Sequence, residues 1–409
     1  MFKIKNSKKL NGTVRISGSK NAALPIVAAN QIINNSIELV NKPRIKDLQI
    51  LEEIATSAEK KSKKFYDLKG QKVNQIRSSI LLIPNGLIKF GKVIFSQPGG
   101  CKIGKRSLDT FDDAFLQAGI SIKLQNGKKE YKKTGKPQKR IILKEFSVTT
   151  TESILTYLSF LKDIDYTIKI EQVAIEPHVI NLIEFLKTIG AKIKINYDHS
   201  ILITPTRTKI KKDEFKIIGD YIEAGTFFAI GAITDDSEIK ITGFNIKDLT
   251  AVLATADKIG INYKIVNNNT IIVNSKNKNK YKPISLQTQI YPGFPTDLQS
   301  IFGVVLTQIK GISKIHETIF EGRFAYLAEL ENVGANIEIL NPHQVIIIGK
   351  TKLHGDYLSS TDLRGGGAML LAGILAKGTS YITNENIILR GYEDIDKKLK
   401  KIGVDIEKV

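Results

Sequence analysis

Apolar positions along the chain change spacing at five places. In LQAGISIKL (116–124), LKTIGAKIKI (186–195), ADKIGINYKI (256–265), LENVGANIEI (330–339) and LKKIGVDIEKV (399–409), apolar residues spaced three or four apart give way to apolar residues spaced two apart, with a glycine at the switch. The first spacing is that of an amphipathic helix and the second that of a half-buried strand. The glycines at 119, 190, 260, 334 and 403 stand where a helix ends through a left-handed residue, a backbone state that glycine reaches without steric cost. A glycine after a single helix is a common stop, but the frame L-x-x-x-G-x-x-I shared among several copies, about 70 residues apart, indicates a repeat. LEEIATSAEK (51–60) reads as a degenerate first copy that lacks the glycine.

Each copy also has an earlier half: a polar or glycine-containing turn, a helix rich in small apolar residues, then a strand. Such helices are predicted in 19–33, 149–161, 224–233, 296–309 and 363–376. Strand, helix, strand, helix and two strands, repeated six times, would fill the chain and give an α/β architecture. The period exceeds that of ordinary solenoid repeats, so compact packed units are expected. Lysine-rich stretches at 125–140 and 266–282 fall inside units and read as hairpin tips.

Composition narrows the class. With 409 residues the chain outgrows one core, and two or three domains of ~100–200 residues are expected. Apolar residues at 42% and charged residues at 25% are ordinary globular usage. No apolar run approaches the ~18–20 residues needed to cross a bilayer, and the lysine-rich start is not followed by an apolar leader segment, so a cytoplasmic protein without a membrane partner is expected. A net charge of +20 raises the question of nucleic acid. Only nine of the 61 basic residues are arginine, however, and most lysines lie in polar, Asn-rich stretches that read as solvated faces, so no nucleic acid is expected.

Against that lysine background the arginines are informative, because a guanidinium presents a planar fork to phosphate or carboxylate. Arg77 opens RSSILLI, Arg106 follows PGGCKIGK, Arg323 lies in FEGRF, Arg364 in TDLRGGG and Arg390 in LRGYED. With Lys20 in SGSKNAALP they suggest anchors for a strongly anionic, phosphorylated ligand, the alternative being pairing with nearby carboxylates such as Asp362 and Glu393. Cys101, the single cysteine, follows Pro98-Gly99-Gly100 and is flanked by Lys102, Lys105 and Arg106. Such neighbours lower a thiol pKa from about 8.5, so Cys101 is either a reactive thiolate or a small buried hydrophobe. Asp297 in YPGFPTDLQ stands at a rigid strand-to-helix turn, suited to a general base or to a helix first turn. The five histidines are scattered and Gly365 to Gly367 lack the Lys-Ser/Thr of a phosphate loop, so neither metal nor cofactor is expected.

In order, SGSKNAALP, RSSILL, PGGCKIGKR, FPTDLQ, FEGRF, TDLRGGG and RGYED resemble the motif series of the UDP-N-acetylglucosamine 1-carboxyvinyltransferase family of enolpyruvyl transferases, from about residue 2 to the C-terminus. The resemblance implies two similar globular domains, each of three βαβαββ-type units in an inside-out α/β barrel: residues 19–218 carrying the PGGC loop, and residues 1–18 with 219–409, the active site lying in the cleft between them. It implies transfer of the enolpyruvyl group of phosphoenolpyruvate to the 3-hydroxyl of UDP-N-acetylglucosamine with release of phosphate. That is the first committed step of peptidoglycan synthesis, hence of cell-wall formation and division.

The residues that match the family's motifs take the family's roles by implication. Lys20, Asn21, Arg106 and Arg390 would bind phosphoenolpyruvate. Cys101 would protonate it or form an adduct, and would be the target of fosfomycin, with Lys20 the other candidate acid. Asp297 would be the carboxylate beside the sugar hydroxyl. Arg77, Arg106, Ser107, Leu108, Asp109, Thr110, Ser147, Val148, Asp297 and Ile319 would contact UDP-N-acetylglucosamine, and Arg323, Asp362 and Arg364 would close the cleft. Thr149, Glu145 and Tyr221 stand where the family has Gly, Lys and Arg, and Gly365 to Gly367 where it has an Ala/Ser run. Other acceptors, shikimate 3-phosphate or another nucleotide, therefore stay open beside a non-catalytic, nucleic-acid-binding relative of the fold. A monomer is the default oligomeric state.

Overall fold

The structure, a computed structural model, describes all residues except 63, 100–102, 105–106 and 206–208. The described residues form two compact units. A terminal unit holds Met1–Ser17 and Gly219–Val409, joined by Ile103 and Gly104, and an inserted unit holds residues 18–99 and 107–218.

The repeat is visible strand by strand. In the inserted unit, Arg140–Ile142 pairs in parallel with Ile168–Glu171, joined by a crossover through the helix Val148–Ser159. After the helix Pro177–Thr188 the hairpin Lys192–Ile195 and Ser200–Thr204 completes a four-stranded sheet. The strands Tyr66–Leu68, Lys92–Phe95, Ile120–Gln125 and Lys128–Lys133 repeat that order. The terminal unit has three such sheets. The last of them runs Tyr357–Ser359, Thr379–Thr383, Phe2–Lys5, Ile406–Lys408, so the N-terminal strand supplies the final position of the C-terminal βαβαββ unit.

The five glycines at the spacing switches all have positive φ, from 80° at Gly119 to 104° at Gly190. The degenerate first copy lies in the helix Lys46–Lys61. Without a glycine to turn the chain back into a hairpin, the next strand, Tyr66–Leu68, enters the following sheet. The first sheet keeps only Glu38–Val40 paired with Glu214–Lys216. Five units are thus complete and the sixth is short of its hairpin.

Most helices of the earlier half lack a polar side wide enough to face water, which places them in the interior while the sheets keep one wet face. All residues of the helices Tyr221–Ile233 and Gln299–Thr307 are buried, as are twelve of Leu363–Leu375. Gly365 to Gly367 begin the last of these and serve close packing. A Cβ on Gly366 would lie 2.5 Å from Ile388 Cγ1, and one on Gly367 2.9 Å from the Tyr392 hydroxyl.

Each lysine-rich stretch contains a hairpin turn, but the lysines themselves lie outside it. Asn126 and Gly127 make the first turn, with φ of 51° and 70°, and the lysines follow on the strand Lys128–Lys133. The second hairpin turns at residues 268–269, and its lysines lie beyond the strand Thr270–Asn274. In the first hairpin the reason is that a two-residue turn favours Asn and Gly, which reach left-handed φ, and leaves lysine to the strand. Among the described residues, no helix is long and apolar enough to cross a membrane.

Candidate functional site

Most residues singled out in the sequence stand at or just before the first turn of a helix, where backbone N–H groups lack partners and the helix dipole is positive. In the inserted unit Ser19 caps the helix Lys20–Ile32, accepting from Ala22 N. Lys20 and Asn21 form its first turn, and Lys20 Nζ pairs with Asp47 Oδ2 at 2.9 Å. Asp47, 4% exposed in its side chain, was not singled out from the sequence, since nothing in NKPRIKDL marks it apart from an ordinary first-turn acid. Arg77 opens the short helix Arg77–Leu82 and its Nη2 donates to Ser107 O at 3.4 Å, which brings Arg77 to the segment 107–110. Ser107 accepts from Asp109 N at 3.0 Å ahead of the helix Asp109–Gln117, whose first turn holds Asp109 and Thr110 behind Leu108. Ser147 caps Val148–Ser159, accepting from Thr150 N and from the Thr150 hydroxyl. Glu145, two residues earlier, is exposed.

The helix Val148–Ser159 also carries Glu152, 3% exposed. Burial first, and the nearby Glu176 second, push its carboxyl well above the ordinary 4.5. Its folded form therefore keeps a proton that the unfolded chain releases above 4.5, so stability falls as pH rises from there through the folded pKa. Glu152→Gln removes this dependence while keeping the side-chain shape. The variant is expected to match the parent in urea unfolding near pH 4 and to exceed it near pH 8. Equal midpoints at both pH values would show that Glu152 does not hold that proton.

In the terminal unit the side chains themselves converge. Asp297 sits in the turn Thr296–Leu298 that feeds the helix Gln299–Thr307. Its Oδ1 accepts from Arg323 Nη2 at 2.7 Å, and its Oδ2 from Arg364 Nε and Nη2, both at 3.1 Å. Arg323 also reaches Asp362 Oδ1 at 3.5 Å and, through Nε, Thr296 Oγ1 at 3.2 Å. Asp362 caps the helix Leu363–Leu375, accepting from Arg364 N and Gly365 N. Both guanidinium groups lie over rings, Arg323 on Phe320 and Arg364 on Tyr392, each 5.5 Å from the centroid. Burial works against the Arg364 charge, but Asp297, Tyr392 and Asp220 outweigh it and raise its pKa above the ordinary range. Arg364 Nη1 is buried with no hydrogen-bond partner among the described residues. Both arginines are thus 3% exposed partners of a carboxylate that is itself 27% exposed, and Asp297 is the member of the group that solvent reaches.

Ile319 donates its N–H to Glu317 Oε1 at 2.9 Å. Arg390 lies half-buried, just past the short helix Glu385–Ile388. Tyr221 is buried in the first turn of Tyr221–Ile233 behind the cap Asp220. Cys101 and Arg106 lie outside the described residues. Of their loop, Ile103 O accepts from Gly322 N at 3.0 Å, and a Cβ on Gly322 would come within 2.8 Å of Ile103 C, so the glycine of FEGRF permits this approach. Among the described residues no three His, Cys, Asp or Glu side chains are grouped to hold a metal ion.

The family model of EPSP synthase (3-phosphoshikimate 1-carboxyvinyltransferase) matches residues 4–399. A UDP-N-acetylglucosamine 1-carboxyvinyltransferase of Pelagibacter ubique is 36% identical over 98% of this chain and 97% of its own length. That of Campylobacter hominis is also 36% identical, over 100% of this chain and 99% of its own. The crystal structure of the enolpyruvyl transferase NikO from Streptomyces tendae superposes with a TM-score of 0.86 at 21% identity, covering 99% of this chain and 98% of that one. EPSP synthase from Acinetobacter baumannii gives 0.72 at 14% identity, over 100% and 99%. At these identities the two structures bear on the fold alone.

Proposed function

The chain belongs to the enolpyruvyl transferases, among the UDP-N-acetylglucosamine 1-carboxyvinyltransferases, and from this we infer that it transfers the enolpyruvyl group of phosphoenolpyruvate to UDP-N-acetylglucosamine with release of phosphate. It is a transferase. The observation that carries the acceptor is the 36% identity, held along whole chains, to relatives named for that reaction. The resemblance to EPSP synthase lies in the family model and the fold, at 14% identity in the structure, and does not favour shikimate 3-phosphate as acceptor. A nucleic-acid-binding role would make no use of a solvent-accessible carboxylate clamped by two buried arginines.

The reaction needs an acid at the methylene carbon, a base at the sugar hydroxyl and cations around the phosphate. Protonation of the methylene makes C2 electron-poor, and the 3-hydroxyl oxygen bonds to C2 as its proton leaves. Loss of a proton from the new methyl group and of phosphate from C2 then restores the double bond. Asp297 is assigned the hydroxyl proton. The geometry supports this, because Arg323 and Arg364 fix the orientation of its carboxylate while leaving it partly open. Lys20, Asn21, Arg106 and Arg390 are assigned to phosphoenolpyruvate, and Cys101 or Lys20 to the methylene proton. Arg77, residues 107–110, Ser147, Val148 and Ile319 are assigned to the nucleotide sugar. Helix first turns at most of these positions supply N–H donors suited to diphosphate. The same reading places the protein in the cytoplasm, in peptidoglycan synthesis, with Cys101 the site of fosfomycin modification.

Phosphate release from phosphoenolpyruvate is expected with UDP-N-acetylglucosamine and not with shikimate 3-phosphate. Release with the latter, or with neither, overturns the assignment.

A further inference from the structure

We propose that Glu317 is a positioning residue for the transfer, tying the loop that carries Ile319 to the turn that carries Asp297. It rests on the enolpyruvyl transfer proposed above. Glu317 is fully buried at the end of the strand Gly311–His316, and its backbone is fixed on both sides: its N–H donates to His343 O at 2.8 Å, and its carbonyl accepts from His343 Nδ1 at 2.7 Å. One carboxylate oxygen, Oε1, accepts the backbone N–H groups of Ile319 at 2.9 Å and Phe320 at 3.2 Å. The other, Oε2, accepts the Thr296 hydroxyl at 2.9 Å. That hydroxyl oxygen in turn accepts Arg323 Nε at 3.2 Å, and Arg323 Nη2 donates to Asp297 Oδ1 at 2.7 Å.

The chemistry selects a carboxylate at this place. Three donors converge on it, and an ionised carboxylate is the side chain that only accepts. The Thr296 hydroxyl has one proton, which goes to Glu317, leaving its lone pair for Arg323. The direction of the whole chain of bonds is thereby set, from Asp297 through Arg323 and Thr296 to the loop at Ile319. A displacement of about 1 Å at either end of such a chain is enough to cost about 100-fold in rate. Glutamine at 317 would turn an amide donor toward Thr296 and strip the charge from the two backbone bonds. Valine at 296 would cut the link and keep the side-chain volume.

The test is steady-state phosphate release by Thr296→Val, Glu317→Gln and the double variant, with amide hydrogen exchange at Ile319 and Phe320 read without substrate. Each single variant is expected to lower kcat by about 10–100-fold, with KM for phosphoenolpyruvate held within about threefold. The double variant should be no slower than the slower single one, because both break the same link. Thr296→Ser, which restores the hydroxyl, should stay within about threefold of the parent. Exchange at the two amides should quicken about tenfold in Glu317→Gln, since bonds to a charged acceptor are the stronger ones. Losses that multiply in the double variant, a kcat within twofold of the parent in both singles, or unchanged exchange at both amides would each overturn the proposal. A parent enzyme that releases no phosphate would sink the assigned reaction instead, and the exchange measurement would still decide the role of Glu317.

Discussion

Asp297→Asn is expected to slow phosphate release by about 10²–10⁴-fold, the range over which a positioned acid or base contributes. Asparagine keeps the size of the side chain and can still accept from one guanidinium, but it cannot take the hydroxyl proton. The loss should therefore fall on kcat, with KM for phosphoenolpyruvate little changed, because that ligand is assigned to other side chains. Asp297→Ala should be at least as slow. Thermal unfolding separates this from misfolding: neutralising the partner of two buried guanidinium groups should lower the melting point, so kcat is compared at a temperature where the variant's unfolding curve shows it folded. A less than tenfold fall in kcat for Asp297→Asn would remove this carboxylate from the chemistry.

The second large effect is on stability. Arg323 donates to Asp297, Asp362 and Thr296, and its side chain is 3% exposed. Truncation to alanine leaves Asp362, 4% exposed, without its guanidinium. Removing one partner of a buried ion pair typically costs about 3–5 kcal/mol, because the remaining charge stays out of water. Urea unfolding should register a loss of that order in Arg323→Ala, and Asp362→Asn in the same chain should recover part of it. Lysine at 323 should not restore the parent, since one ammonium nitrogen cannot replace three guanidinium nitrogens that each reach a different acceptor. A loss below about 1 kcal/mol would mean that water reaches Asp362 and screens it.

The repeat was legible because it depends on local physics. Each of the glycines 119, 190, 260, 334 and 403 ends a helix at positive φ and leads toward a strand, and both outcomes follow from residues within a few positions. The buried helices were legible for the same reason: runs such as EAGTFFAIGAI and RGGGAMLLAGIL have no polar side wide enough to face water. The lysine stretches misled because hydropathy separates exposed from buried, and an exposed strand face and an exposed turn look alike in it. The turn residues, Asn126 and Gly127, were the better guide.

The partners of the arginines were less legible. Asp362 was foreseen as a neighbour, but Asp297 lies 26 residues from Arg323 and 67 from Arg364 in sequence, and Glu317 lies 21 from Thr296. No spacing rule connects such positions, so neither the clamp on Asp297 nor the place of Glu317 could be read before the strands and helices were packed. By itself the sequence determined the α/β repeat and, through its motif series, the family. Only the tertiary structure decided which charge faces which. Helix stops and strand alternation are settled within a few bonds of the residue that causes them, whereas an ion pair needs two side chains brought together by the burial of everything between them.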